Sequence, residues 1–445
     1  MISFEEAFRK VLQYPLDLGD ENVLLLDSTD RILSEDITAD RDFPPFHRST
    51  KDGIAINFSA IEKGIDRFEV EGILSAGMAQ KSLSSEKNCF EIMTGAVLPK
   101  NADTIIMYEE TDIENGHASI SKSPNKGQNI HTQGSDAKAG SVLLEKGVKI
   151  NAAVIGVLAS VGKTEVLVKK LLKVCVISTG NELVEVSETP LPHQIRKSNT
   201  LSLTVALKKV GITPSRLHLA DERKTIEEGL RKALTENDVL MLSGGVSKGK
   251  FDFIPDALGK LGVQKVFHRV AQRPGKPFWF GTWENRLPSN KQRQDEPSNN
   301  RQIENQGAQN QEKVVFSFPG NPVSTFANYH VYFLPWLKKS LTIDFEQLAN
   351  VKLSEKLQQL AEAEKNSMFE RPMVILDEPV QPHSALTLFL QVQTVWRDGM
   401  LHALLVQGNG SGDLVSLAKA DGFIQVPVGD SEISKGNGFK FISCV

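Results

Sequence analysis

The stretch Asp238–Asp252, DVLMLSGGVSKGKFD, constrains this chain more than any other. Four consecutive apolar residues, Val239–Leu242, lie between turn formers and predict a strand buried on both faces, as in a parallel sheet. It stops at Ser243-Gly244-Gly245, where two residues without Cβ let the backbone take positive φ and approach a ligand. Ser247, Lys248, Lys250 and Asp252 follow directly. A parallel strand opening at its carboxyl end into a glycine-rich cationic loop is where α/β sheets bind phosphorylated ligands. On its own the stretch also fits a plain strand-to-helix turn carrying two solvated lysines.

The surroundings have the same alternating character. Leu172–Ile177 predicts a buried strand ending at Ser178-Thr179-Gly180, and Arg216–Leu219 another. Ser198 or Asn199 can cap a helix that ends at Gly211, and Thr225–Leu234 is helical. A strand near Val263–Val270 follows, then two strands of one sheet at Pro277–Trp283 and Val314–Phe318. Asn321-Pro322 supplies an N-cap and a proline at N1 for a helix toward Leu334, which Pro335 bends or ends. Alternating strands and helices predict a mostly parallel sheet covered on both faces, over residues 171–340. Inside it, residues 284–313 contain twelve Asn or Gln and only three aliphatic residues, Leu287, Ile303 and Ala308. Such a segment cannot bury enough surface to offset its ordering entropy, and it reads as a mobile surface insertion.

The other regions are β-rich. Residues 44–139 hold short apolar runs at Ile54–Phe58, Phe68–Ile73, Cys89–Met93, Thr104–Glu109 and Ala118–Ser121, split by Gly, Asn and Asp. They predict a compact β domain, entered through the rigid Phe43-Pro44-Pro45 connector. Before it, Ser3 and Glu6 form a capping-box pattern for a helix ending before Pro15. After it, Ala152–Ala159 suits a buried helix. Residues 1–43 and 140–170 thus form a discontinuous N-terminal domain interrupted by the insert. Residues 341–445, with runs at Met373–Leu376, Ala385–Val392, Leu401–Val406 and Phe423–Val426, form a C-terminal β domain. The fold class is multidomain α/β plus β.

Composition narrows the function classes. At a net charge of −4 the chain lacks the bulk basicity of a nucleic-acid binder, so any anion site must use clustered cations. Three scattered cysteines supply neither a disulfide framework nor a Cys-based zinc site. The chain opens on a polar amphipathic helix instead of a signal peptide, and no apolar run reaches the ~20 residues of a bilayer span. A cytoplasmic protein without membrane partners is expected. The Walker motif and the Gly-x-Gly-x-x-Gly fingerprint are both absent.

Four motifs converge if each follows a strand's carboxyl end: Thr179-Gly180-Asn181-Glu182, the opening stretch, Arg273-Pro274-Gly275-Lys276-Pro277, and Phe318-Pro319-Gly320-Asn321-Pro322. Each alone is a well-made turn; together they predict a shared ligand site. Lys248, Lys250, Arg269, Arg273 and Lys276 suit a phosphate or other oxyanion. Glu182, Asp221 and Asp252 suit magnesium, which uses one or two carboxylates plus substrate phosphates. In the insert, Ser49-Thr50-Lys51-Asp52-Gly53 and Met93-Thr94-Gly95-Ala96 read from composition as side-chain-stabilised turns and no more.

In chain order, DFPPFHRSTKDGIAI, IMTGAVLP, QNIHTQGSDAKAG, ISTGNEL, LSGGVSKGKFDF, QRPGKPFWFG, FPGNPVS and GSGDLVSLAKADGF resemble the MoeA family of molybdopterin molybdenumtransferases. Its relatives include the C-terminal domain of gephyrin. Eight collinear motifs are highly specific, and they span essentially the whole chain. The resemblance implies a homodimer of four-domain subunits: a discontinuous N-terminal domain, a β-rich insert, a molybdopterin-binding α/β domain and a barrel-like C-terminal β domain. It implies a site shared between subunits, with molybdopterin adenylyltransferase as a possible partner. The implied reaction places molybdenum from molybdate on adenylylated molybdopterin and releases AMP, with Mg2+ or a similar divalent cation.

Carried over by position, the resemblance assigns catalysis to Asp52, Thr94, Glu182, Asp221 and Asp252, the last three also as metal ligands. It assigns substrate binding to Gly244, Gly245, Ser247, Lys248, Arg269, Arg273, Lys276, Pro319 and Pro322, and also to Asp136, Arg371 and Ser411. Two positions depart from the family: His131 stands where arginine is usual, and Asn181 where aspartate is common. The Asn/Gln-rich insertion has no counterpart. The rival readings are a molybdopterin adenylyltransferase, which lacks the insert, and a gephyrin-like scaffold binding a partner peptide.

Overall fold

The computed structural model describes residues 1–246, 253–284, 312–342 and 371–444. Ser247, Lys248, Lys250, Asp252 and nearly all of the Asn/Gln-rich segment lie outside the described residues. The chain forms two compact units, Met1–Glu21 with Lys169–Val445, and Asn22–Val168.

The first unit is built on a six-stranded sheet. Its strands are β1 (Val174–Thr179), β2 (Ser215–Leu219), β3 (Val239–Ser243), β4 (Gln264–His268), β5 (Trp279–Glu284) and β6 (Glu312–Phe318), in the order β2-β1-β3-β6-β5-β4. The first four in that order are parallel. β5 is antiparallel to both β6 and β4, which leaves β4 running with the parallel set. The mostly parallel sheet is as expected, and so is the pairing of the two strands that flank the insertion. The apolar runs are continuous because both faces are covered. Val174, Val176, Met241 and Phe316 enter one core, and Cys175, Ile177, Leu240 and Leu242 the other.

Helix α1 (Phe4–Leu12) belongs to this unit. Ser3 Oγ accepts from the Glu6 N–H at 3.1 Å, as the capping pattern predicts. Its buried face, Phe4, Ala7, Val11 and Leu12, packs into the α/β core, where the Phe4 ring lies 5.1 Å from that of Phe389 and 5.9 Å from that of Tyr332. The unit's other elements include α2 (Ser198–Lys208), α3 (Arg223–Glu236) and α4 (Pro322–Asn328). α4 continues through a five-residue π-helical turn, Tyr329–Phe333, into a helix over Leu334–Thr342. The irregularity expected at Pro335 therefore falls before it.

The C-terminal strands close into a barrel. Thr387–Arg397, Met400–Leu405, Met373–Leu376, Gly438–Ser443 and Gly422–Val426 pair in that order, and the last pairs back with the first. Closure removes the exposed edges an open sheet would leave. Val374, Val392, Ala403, Ile424 and Phe441 fill its core.

In the second unit, Ile37–Thr38 pairs with Val142–Leu144, and Leu33 bridges to Val168, so both flanks of the insert share one core. The helix there, Ala152–Ser160, was expected to be buried, yet only Val154 and Leu158 are. Its small apolar residues leave the other side in solvent. The insert is a six-stranded sheet in the order Thr104–Met107, Gly53–Ile56, Asn88–Ile92, Arg67–Leu74, His117–Ile120, Thr111–Glu114. One face packs around Phe90 and Ile92, the other around Phe68 and Cys89. No helix among the described residues is long and apolar enough to cross a membrane.

Candidate functional site

Because β1, β2, β3, β4 and β6 run the same way, their carboxyl ends form one edge of the sheet. Register places Ser178 beside Ser243, Ser243 beside Phe318, and Thr179 beside Leu219. The predicted motifs leave from that edge. Gly180-Asn181-Glu182 follows β1, Asp221 follows β2, Gly244-Gly245 follows β3, Arg269 follows β4, and Pro319–Pro322 follows β6.

Short polar contacts tie these turns together. Asn181 and Asp221 bond reciprocally: the Asp221 N–H donates to Asn181 Oδ1 at 3.1 Å, and the Asn181 N–H to Asp221 Oδ2 at 3.4 Å. The Asn181 side-chain oxygen accepts here as a carboxylate oxygen would, so asparagine at 181 keeps this contact while carrying no charge. Glu182 folds back over Gly180, whose absent Cβ would meet the Glu182 carboxylate. Asn199 does not cap α2, whose N-cap is Lys197. Its amide donates instead to Ser243 Oγ at 2.9 Å and to the Gly320 carbonyl at 2.7 Å, joining the turns after β3 and β6. Asn321 likewise makes no side-chain cap and donates to Ser411 Oγ at 2.7 Å, bringing Ser411 to the start of α4.

The cations sit on constrained backbone. Arg269 has φ +74°, the left-handed region that side chains other than glycine rarely adopt. Its N–H donates to Phe278 O at 2.8 Å, and its carbonyl accepts from the Ile2 N–H at 3.2 Å. Arg273 is exposed and Lys276 half-buried on a turn closed by the Val270 N–H donating to Lys276 O at 2.9 Å. Arg371 is used differently. Its guanidinium donates to Val331 O at 3.4 Å and Gln425 Oε1 at 3.5 Å and lies 5.8 Å from the centroid of the Phe8 ring. Burial lowers its pKa to about 10. Among the described residues it bonds to none of the others predicted for the site.

The second unit carries its own cluster. Asp52 Oδ1 accepts from both the N–H and the hydroxyl of Thr94, at 2.6 and 2.8 Å. These bonds favour the ionised form and lower the Asp52 pKa. Gly53 must be glycine, since a Cβ there would overlap the Ile106 carbonyl. Across the two-residue strand pair Arg48–Ser49 and Ile130–His131, Arg48 lies opposite His131. Arg48 Nη2 is 3.1 Å from His131 Nδ1, and His131 Nε2 is 2.9 Å from Asp136 Oδ1. A guanidinium only donates, so Nδ1 is the acceptor and Nε2–H donates to Asp136. The histidine in the arginine position thus links Arg48 to Asp136, and Arg48 brings a cation to the cluster. Sequence reading overlooked Arg48, although it stands inside one of the motifs.

Among the described residues no three His, Cys, Asp or Glu side chains gather as a metal cluster. The metal set expected from sequence includes Asp252, outside the described residues. Glu182 and Asp221 remain on the edge as two carboxylates with solvent access.

The chain matches known proteins along its length. Residues 2–162 match the MoeA N-terminal region (domain I and II), residues 175–339 a probable molybdopterin binding domain, and residues 374–444 the MoeA C-terminal region (domain IV). It is 34% identical to the molybdopterin molybdenumtransferase of Synechocystis sp., covering 99% of both chains. It is 31% identical to that of Bacillus subtilis, over 98% of this chain and 92% of the other. The crystal structure of a molybdopterin biosynthesis MoeA protein from Pyrococcus horikoshii superposes with a TM-score of 0.75 at 26% identity, covering 100% of this chain and 99% of that one.

Proposed function

The chain belongs to the MoeA family and acts in molybdenum cofactor biosynthesis, and we propose that it is a molybdopterin molybdenumtransferase. Its substrates are adenylylated molybdopterin and molybdate; AMP leaves as molybdenum passes to the dithiolene. The observation that carries this reading is the gathering of Glu182, Asp221, Gly244-Gly245, Arg269 and Pro319–Pro322 on one strand-end edge of a chain that also holds the Asp52–Thr94 pair.

The residues divide the work by chemistry. Open backbone at Gly244 and Gly245, both with positive φ, admits the phosphates of the nucleotide. Arg269, Arg273 and Lys276 supply positive charge for those phosphates or for molybdate, itself a dianion. Asp52, held ionised by Thr94, serves as a base or ligand and not as an acid near neutral pH. Glu182 and Asp221 fit a hard divalent ion that takes carboxylates and phosphate oxygens together. Bound there, magnesium would offset phosphate charge.

The test supplies purified protein with adenylylated molybdopterin, molybdate and magnesium. AMP release matched by metal insertion is expected, and omission of magnesium lowers both. ATP-dependent adenylylation of free molybdopterin would establish the adenylyltransferase reading instead, and peptide capture without turnover the scaffold reading.

We propose further that the protein acts as a homodimer. Light scattering should give about twice the 49.0 kDa chain mass; a monomer mass at assay concentration rules this out.

A further inference from the structure

Among the described residues, the buried hydroxyls of Ser178, Ser243 and Thr325 at the strand-end edge all have partners, and that of Thr179 does not. Ser178 Oγ lies 3.0 Å from His218 Nδ1. Ser243 Oγ accepts from Asn199, and Thr325 Oγ1 donates to the Pro319 carbonyl at 2.5 Å. Thr179, the last residue of β1, is 5% exposed, and its Oγ1 has no hydrogen-bond partner. A buried hydroxyl in that state carries a desolvation penalty with nothing to offset it.

Its surroundings show where a partner could come from. A Cβ on Gly244 would lie 3.1 Å from Thr179 Oγ1, and one on Gly245 would lie 3.0 Å from it. The two glycines have φ of +103° and +71° and are half-buried, so the turn over the hydroxyl is bare backbone. The Gly245 N–H beside it makes no hydrogen bond among the described residues. Among the described residues Ser317 on β6 is the sheet's other unpartnered buried hydroxyl, but its residue is wholly buried and lies one position inside the strand end.

We infer that Thr179 is a substrate-binding residue, its hydroxyl donating to a phosphate oxygen of the nucleotide-bearing substrate beside the Gly245 N–H. The inference rests on the transferase reading above. An anionic oxygen is the acceptor such a pair of donors suits, since hydrogen bonds to charged groups are stronger than neutral ones. Threonine is otherwise a poor choice at a buried strand end, where valine has the same shape and no polar atom to satisfy.

That contrast makes the test. In the molybdenum-insertion assay, Thr179→Val should raise KM for adenylylated molybdopterin about 10- to 100-fold, the loss of one hydrogen bond to a charged group. Its thermal midpoint should equal or exceed the wild type's, because an unsatisfied hydroxyl is gone. Thr179→Ser, which keeps the hydroxyl, should restore KM to within a few-fold. A purely structural threonine predicts the opposite pattern: an unchanged KM for the valine variant, or a raised KM accompanied by a lower midpoint. Either result overturns the inference and leaves the transferase reading standing. A wild-type protein that releases no AMP overturns both. Should Thr179→Val fail to fold, the serine and alanine variants decide: only the alanine variant should lose affinity.

Discussion

Asp52→Ala is expected to lower the rate of molybdenum insertion by about 10²- to 10⁴-fold, the range for loss of a positioned acid–base group. The side chain is exposed, so the fold should persist. The geometry adds a second, smaller effect. Both Thr94 bonds fall on Oδ1, one from the backbone and one from the hydroxyl. Thr94→Val removes only the second, so it should slow the reaction by roughly tenfold, about the worth of one hydrogen bond. The sign of the pH effect follows from the same bonds. They stabilise the carboxylate and lower its pKa, so Asp52 stays charged as the pH falls through the ordinary aspartate value of 3.8. Any loss of rate between pH 7 and 5 therefore belongs to another group. Insertion by Asp52→Ala at the wild-type rate would exclude Asp52 from the reaction.

The Arg48–His131–Asp136 chain shows what sequence could and could not convey. His131 in an arginine position reads as a lost charge. Only the pairing of Arg48 with His131 across two short strands shows that a cation stands next door, and such short strands leave almost no periodic signal. The sheet was far more legible. β3 and β6 stand out as unbroken apolar runs because both faces are buried. β1 runs two residues past the apolar run that predicts it, since its last two members are Ser178 and Thr179, polar yet buried at the strand-end edge. Asn199 and Asn321 fit the preferences for helix caps, and each instead gives its amide to a long-range partner, which local pattern cannot foresee. Thr111–Glu114 escaped notice as a sheet-edge strand with two carboxylates among its four residues. The barrel's last strand, Gly438–Ser443, alternates only as far as Phe441, with Phe439 and Phe441 buried, before buried Ile442 breaks the pattern.

The largest stability effect expected in the first unit lies under the cationic turn. Gln272 is wholly buried, and each of its polar atoms is used. Its Nε2 donates to the Pro274 carbonyl at 2.9 Å and to Asn328 Oδ1 at 2.8 Å, while its Oε1 accepts from the Tyr332 hydroxyl. Asn328 in turn donates to the Gly275 carbonyl at 3.4 Å, and the space a Cβ on Gly275 would need is filled by Asn328 Oδ1 and Gln272 Nε2. The turn bearing Arg273 and Lys276 is thus shaped from below by one amide. Gln272→Met keeps the volume and strips the polar atoms, leaving buried partners on Tyr332 and Asn328 unsatisfied. Each such group costs about 1–3 kcal/mol, so a loss of about 2–5 kcal/mol is expected in urea unfolding of this unit. KM for molybdate should rise as the turn loosens. The decisive measurement is the double variant. Burial already holds Tyr332 neutral, so its hydroxyl is a donor that must find an acceptor. Gln272→Met with Tyr332→Phe removes donor and acceptor together and should recover about 1–3 kcal/mol of the loss. Recovery of stability without recovery of KM would separate the two roles of Gln272, since the phenylalanine satisfies the core and does nothing for the turn. Strictly additive losses would show that the Tyr332 bond contributes nothing to the fold.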